Sequence, residues 1–363
     1  MNTRFASFAL TAALAAPAVA QGLGAVYTLD NDTQDNRIAV TLRLPNGNLL
    51  PFASFATGGT GTGGGLGSQG AIAASPNGDV LLAVNPGSDE VALFRSFFFG
   101  LFLLRQDVES TGGDRPTSVA MHRRLVYVLN AGSDTVRGFR RNGGNLVPIP
   151  GATYGLSGPG VAAAQVGFSP DGDFLVVTER ATDTIGVFPV LPNGTLGAGV
   201  FQPSAGATPF GFLFRDDGTL VVSEAAGGAP GASVVSSYRI QPNGALQVIS
   251  AAVPTNQSAA CWIAIPRNGD FAYATNTGDG TLTGYGLDAN GALTPLDANG
   301  ITGDLGAGAA PLDAEFSPNG RFLYVLDSGN DRIRAFWRQN DGSLIALATS
   351  VAQPNGTAGL LVR

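Results

Sequence analysis

Gln165-Val-Gly-Phe-Ser-Pro-Asp-Gly-Asp-Phe-Leu-Val-Val-Thr-Glu-Arg-Ala-Thr-Asp-Thr-Ile-Gly-Val-Phe188 reads as strand, tight turn, strand, polar loop, strand. Ser169-Pro-Asp-Gly172 is the turn: proline presets φ and glycine accepts positive φ. Phe174-Leu-Val-Val177 is an apolar run rich in β-branched residues, and Thr184-Ile-Gly-Val-Phe188 alternates as a half-buried strand does. Polar groups collect between them, in Thr178-Glu-Arg-Ala-Thr-Asp183.

Working outward, the same pattern recurs along nearly the whole chain. Aligned on the apolar run after the turn, the copies are 25–30, 80–85, 125–130, 174–179, 219–224, 271–276 and 322–327. Each ends in an acid or its amide: Asp30, Asn85, Asn130, Glu179, Glu224, Asn276 and Asp327. An aspartate often follows four residues later (Asp89, Asp134, Asp183, Asp331), and an aromatic closes the next strand. A fourth strand follows an Asn-Gly or Asp-Gly turn, as in Pro192-Asn-Gly-Thr-Leu196. Four short strands per unit and seven units predict an all-β fold, a seven-bladed β-propeller. A β-solenoid is the alternative, but its repeats are shorter and lack four distinct strands. The chain enters the ring at a second strand, and Thr357-Ala-Gly-Leu-Leu-Val-Arg363 reads as the innermost strand that completes the first blade and removes an open edge.

Composition agrees. The 363 residues are 13% charged, and Gly (52) and Pro (22) together suit many strands joined by many turns. Met1 to Ala20 has the form of a secretory signal: Arg4, an apolar stretch, and Ala18-Val-Ala20 as the cleavage site. The expected domains are therefore a leader over 1–20 and a propeller over 21–363, in a secreted, extracellular or periplasmic protein. Every basic residue is arginine, which excludes Schiff-base lysine chemistry. Without Arg4, 19 arginines face 27 acids, a net charge of −8 that disfavours nucleic acid and anionic membranes as partners. A monomer is expected. Phe97-Phe-Phe-Gly-Leu-Phe-Leu-Leu104 is too short to cross a bilayer and reads as a pair of outer strands or an exposed sticky loop. Cys261 is the only cysteine, so no internal disulfide can form. Asn31, Asn193, Asn256 and Asn355 head glycosylation triplets, a weak signal because Asn-Gly turns generate them. Gly58 to Gly70 lacks the lysine and helix of a phosphate loop and reads as a flexible connection.

The last residues of the seven runs should form a rough circle on one face. Glu179 and Glu224, in neighbouring blades, are the candidates for acid–base work, with a hard cation such as Ca²⁺ as the lesser option. The structural alternative is that these side chains cap loop N–H groups. Residues opening the inner strands should lie close by: Gln69, Thr117, Ser118, Gln165, Phe210, Cys261, Trp262 and Asp313. The single His122 falls at a turn away from them, which excludes a Ser-His-Asp triad and a His/Cys zinc cluster.

The Ser-Pro-Asp-Gly … Tyr-Val-x-Asn … Asp-Thr-Val … Asp-Gly-x-Leu pattern resembles the seven-bladed propeller lactonase family, which includes propeller-type 6-phosphogluconolactonase and 3-carboxy-cis,cis-muconate cyclase. The resemblance covers essentially all of the chain after the leader, and it points to an exported branch. It implies opening or closing of a lactone without metal or other cofactor, using a Glu, a His and Arg residues in the channel. Val177-Thr-Glu179 matches the family's Glu position. Ala164-Gln165 and Thr117 stand where the family has its Arg-His pair and a second His. Glu179 is then the expected acid or base with Glu224 as its partner, and Arg180, Arg115, Gln165, Trp262 and Asp313 the expected substrate-binding residues. The substrate class is a small lactone or carboxylate. A non-catalytic extracellular binding propeller is the alternative.

Overall fold

The computed structural model describes residues 22–363; the leader read over Met1–Ala20 lies outside them. Seven antiparallel sheets form the ring, each with its strands in meander order from the inside outward. The innermost strands are Ala358–Val362 in blade 1, Ile72–Ala74 in blade 2, Pro116–His122 in blade 3, Ala163–Phe168 in blade 4, Pro209–Phe214 in blade 5, Ala260–Ala264 in blade 6 and Pro311–Phe316 in blade 7. The apolar runs form the second strands, and six of the seven span the residues expected: Val80–Asn85, Leu125–Asn130, Phe174–Glu179, Thr219–Glu224, Phe271–Asn276 and Phe322–Asp327. The copy in blade 1 is Gly24–Leu29. Blade 6 carries an extra short pairing, Gly303–Asp304 on Thr281–Leu287. The only helix among the described residues is one 3-10 turn, Ala226–Gly228, in the longer loop of blade 5.

The second strands are buried almost throughout because each is covered by a sheet on either side. A fully buried Val, Leu or Ile contributes about 1.5–3 kcal/mol. This is how a chain with no disulfide holds a ring together. Polar latches add register. The second-strand tyrosine of one blade donates to the turn glycine carbonyl of the next: Tyr27 to Gly100 (2.8 Å), Tyr127 to Gly194 (2.9 Å), Tyr273 to Gly342 (2.6 Å) and Tyr324 to Gly47 (3.0 Å). In blade 5, Ser237 donates to Gly291 instead (2.7 Å).

The ring closes as the sequence predicts. Ala358–Val362 pairs antiparallel with Gly24–Leu29, with Val26 opposite Val362 and Leu29 opposite Ala358. Glu315 of blade 7 accepts from the Val362 N–H (2.8 Å) and the Arg363 guanidinium (2.9 Å), which ties the closing strand to its other neighbour.

The meander gives the disc two different faces. The turns within each blade, such as Ser169–Gly172, lie on one, the turn face. The loops between second and third strands, and those linking blades, lie on the other, the loop face.

Candidate functional site

The circle of acids and amides on the loop face exists, but its side chains are committed to backbone and loops. Glu179 is fully buried and accepts from the Ser157 N–H (3.0 Å), the Ser157 hydroxyl and the Thr182 hydroxyl (2.9 Å). Ser157 lies on the link from blade 3, so the carboxylate fastens two blades together. Glu224 is buried in the same way. It accepts from Ser204 Oγ (2.5 Å), the Gly206 N–H (2.9 Å), the Tyr238 hydroxyl (2.9 Å) and Ser236 Oγ (2.6 Å). Asp327 accepts from the Ala310 N–H and from Asn330, and Asp30 from the N–H groups of Asp32 and Arg37. The recurring aspartates four residues on cap the next link: Asp89 accepts from the Arg115 N–H, Asp134 from Gly160 and Asp183 from Thr208. These acids therefore follow the capping alternative. Glu179 and Glu224 each sit within a separate staple of donors, so the geometry does not present them as a pair facing the channel. Among the described residues no group of three His, Cys, Asp or Glu is placed to hold a metal ion.

The loop-face end of the channel is closed by contacts that cross the ring. Gln69 makes two hydrogen bonds to the Ile263 backbone of blade 6, donating to its carbonyl (2.9 Å) and accepting from its N–H (3.1 Å). The Trp262 indole donates to the Ser68 carbonyl (3.0 Å). Gln165 makes the same two-bond contact to Phe212 of blade 5, at 2.9 and 2.7 Å. The Gly-rich segment is thus not a free connection: its last residues plug the ring. Gly61 is required where the loop crosses blade 1, because a Cβ there would lie 2.2 Å from the Asn31 carbonyl. Gly211 is required where Gln69 passes, since its Cβ would meet Gln69 Oε1 at 2.2 Å.

Outside this plug lie the two arginines expected to bind substrate. Arg180 donates to the Ala162 carbonyl (2.9 Å) and stacks on the Phe210 ring at 5.0 Å; Arg115 is exposed beyond it. Burial pushes the Cys261 thiol up to about 11, with Thr277 and Arg180 pulling the other way, so it is protonated at neutral pH and packs with Phe210 and Trp262. The Trp262 indole N–H is used by the plug, and its ring, buried, lies tilted against Phe210 at 4.9 Å.

Beneath the plug a cavity of about 560 Å³ runs to the turn face, lined by inner-strand residues of all seven blades. Gln69, Gln165 and Asp313 form its inner end, with Ile72, Val119 and Ile265 along its walls. Glu315, Arg363, Asp216 and Arg267 lie toward its mouth. Asp313 is only 4% exposed. Burial pushes its carboxyl up to about 7, against the pull of the N–H groups of Asp313 itself, Gly359, Gly70 and Leu360. Of the expected site residues, the structure therefore brings together Gln165 and Asp313. Glu315, Arg363 and Arg267 were not among them. Arg363 directly follows the closing strand, and that position alone could have signalled a channel mouth. His122 lies at the end of the blade 3 inner strand, stacked near Phe168 on the turn side.

The chain matches the family model described as lactonase, seven-bladed β-propeller, over residues 72–227 and 223–359. The chain belongs to that family. Comparison with curated protein sequences gives no match. Among solved structures, a candidate 6-phosphogluconolactonase from Bacteroides fragilis superimposes with a TM-score of 0.77 at 19% identity, covering 96% of this chain and 100% of its own. A periplasmic gluconolactonase from Pseudomonas aeruginosa gives 0.73 at 20% identity, covering 93% and 99%. At these identities the likeness is one of fold.

Proposed function

We propose that this lactonase-like propeller opens a small lactone in the turn-side cavity, with Asp313 as the general base. The observation that carries the reading is the placement of the Asp313 carboxyl, pushed up to about 7 by burial, at the inner end of a cavity of substrate size, with no cation beside it among the described residues; burial also raises Glu315 nearer the mouth, but that carboxylate is paired with Arg363. A base is most effective when its pKa lies near the working pH. In the forward direction Asp313 takes a proton from water, and the resulting hydroxide attacks the lactone carbonyl. The tetrahedral intermediate collapses with cleavage of the ring C–O bond, and Asp313 returns the proton to the departing alkoxide. Cyclisation of an unsaturated carboxylate would use the same group differently: the substrate's carboxylate oxygen adds to its C=C bond, forming the ring C–O bond, while protonated Asp313 delivers its proton to the neighbouring carbon and no water is consumed. Arg267 near the mouth supports an anionic substituent on the substrate, since arginine pairs readily with carboxylate or phosphate. Export from the cytoplasm is part of this proposal and rests on the N-terminal pattern alone.

The test is a panel of lactones and muconates assayed with wild type, Asp313→Asn and Glu179→Gln. Loss of turnover in Asp313→Asn with Glu179→Gln retained supports the reading. The reverse result moves the chemistry to the loop face and overturns it. A non-catalytic binding propeller is favoured by one observation: no histidine lines the cavity to share the proton transfer. In that case wild type turns over nothing in the panel.

A further inference from the structure

Blade 2 breaks the repeat at one place. The turn between third and outer strands is polar in six blades, with Asn46-Gly47, Asn193-Gly194 and Asp341-Gly342 among the examples. Blade 2 has Phe98-Phe99-Gly100. Gly100 still accepts the Tyr27 latch, so docking of this turn on blade 1 asks nothing of the two phenylalanines. Both occupy left-handed backbone, with φ of 49° and 59°, a conformation that is costly for bulky residues and easy for Asn and Gly. They are also exposed, at 74% and 55%. Neither local conformation nor burial accounts for them.

They belong to a larger patch. Phe98 packs edge-on against Phe102 (5.7 Å), and Phe102 against Phe52 of blade 1 (5.3 Å). Leu50 and Leu104 extend the exposed apolar area. Contiguous exposed apolar groups of this kind mark interaction surfaces. Arginines flank the patch. Arg95 lies over Phe97 at 5.2 Å, and Arg141 borders the same groove between blades 2 and 3. Arg124 and Arg140 line the next hollow. None of the four takes part in an ion pair among the described residues. Two carboxylates of this sector are turned to local partners, Asp79 to Asn77 and Asp107 to the Leu146 N–H.

We propose that this sector binds the surface of an anionic phospholipid bilayer, with Phe98 and Phe99 entering the headgroup boundary and Arg95 and Arg141 meeting the phosphates. Projecting aromatics beside arginines that hold no carboxylate, two of which (Arg140 and Arg141) donate to backbone carbonyls, are the complement of such a surface. A second copy of the chain fits less well, because self-pairing would set these arginines against their own copies. The chain's overall negative charge does not oppose the reading. The two hollows beside the patch are lined by four arginines, Arg95, Arg124, Arg140 and Arg141, and by one carboxylate, Asp79, and screening acts over about 10 Å at 0.1 M salt.

The test is co-sedimentation with vesicles of phosphatidylcholine, with and without about a third phosphatidylglycerol. Wild type should bind the anionic vesicles at least about tenfold more tightly than the neutral ones. Phe98→Asn/Phe99→Gly, which installs a turn like those of the siblings, should lose about tenfold or more while its unfolding temperature stays level or rises. Arg95→Gln/Arg141→Gln should remove most of the preference for phosphatidylglycerol. Three outcomes would overturn the proposal: no vesicle binding by wild type, equal binding by the Phe98→Asn/Phe99→Gly variant, or a wild-type dimer in ultracentrifugation that this variant converts to monomer without any vesicle binding.

Discussion

The two ends of the channel handle buried carboxylates in opposite ways. At the loop end, Glu179 and Glu224 are fully enclosed, yet each is surrounded by hydroxyl and N–H donors. Their oxygens are satisfied locally, and they act as rivets between blades. Beneath the plug, Asp313 is nearly as enclosed, but burial outweighs the few N–H groups that face it, and its proton is held more tightly than an ordinary aspartic acid's. Burial alone thus does not make a reactive carboxyl. The balance between desolvation and donors decides whether the group is a fastener or a proton carrier.

That contrast can be broken from either end. The largest effect is expected from deleting Ala358–Arg363. This removes the inner strand of blade 1, the partners of Glu315, and the Gly359 and Leu360 N–H groups beside Asp313. Circular dichroism and calorimetry should show loss of cooperative unfolding; a near-native melt would contradict the closure described here. Next is Asp313→Asn, for which kcat on a turned-over lactone should fall about 10²–10⁴-fold, the usual worth of a general base. Its near-UV spectrum should remain native. Glu224→Ala leaves four donors without their acceptor and should cost about 1–3 kcal/mol in denaturant unfolding for each donor that finds no other partner.

The pH dependence sharpens the contrast further. Because folding raises the Asp313 pKa from about 4 to about 7, the folded protein holds a proton that the unfolded chain has released between those values. Its contribution to stability therefore falls as pH rises from about 4 to about 7. Asp313→Asn should flatten that part of the stability profile. The smallest effect is expected for Cys261→Ala: a protonated, packed thiol has no role in the cavity, and turnover should be unchanged.

The fold could be read from the sequence because its signals are local. Alternation, β-branched runs and Pro-Asn-Gly turns lie within a few residues of one another, so the second strands emerged with almost their final boundaries. The capping role of Glu179 and Glu224 was legible only as an alternative, because Ser157, Ser204 and Tyr238 reach them from other parts of the repeat. Asp313 could be placed at the start of an inner strand, but its proton affinity is set by burial against the pull of the Gly70 and Gly359 N–H groups, which arrive from other blades. The ordering of Gly58–Gly70 was hidden for the same reason: Ser68 and Gln69 are held by blade 6, 194 residues away.

The closing strand has a further consequence, one of timing. Blade 1 is assembled from residues at opposite ends of the described chain, with Val26 paired to Val362. Blades 2 to 7 can each form from contiguous sequence, as fast as their hairpins allow. The first blade must wait, its second strand exposing an unpaired edge until the last strand arrives. Contacts of such separation slow folding. The ring should therefore pass through a long-lived open form in which six blades are built and the seventh is a vacancy, and agents that capture strand edges would find their target there.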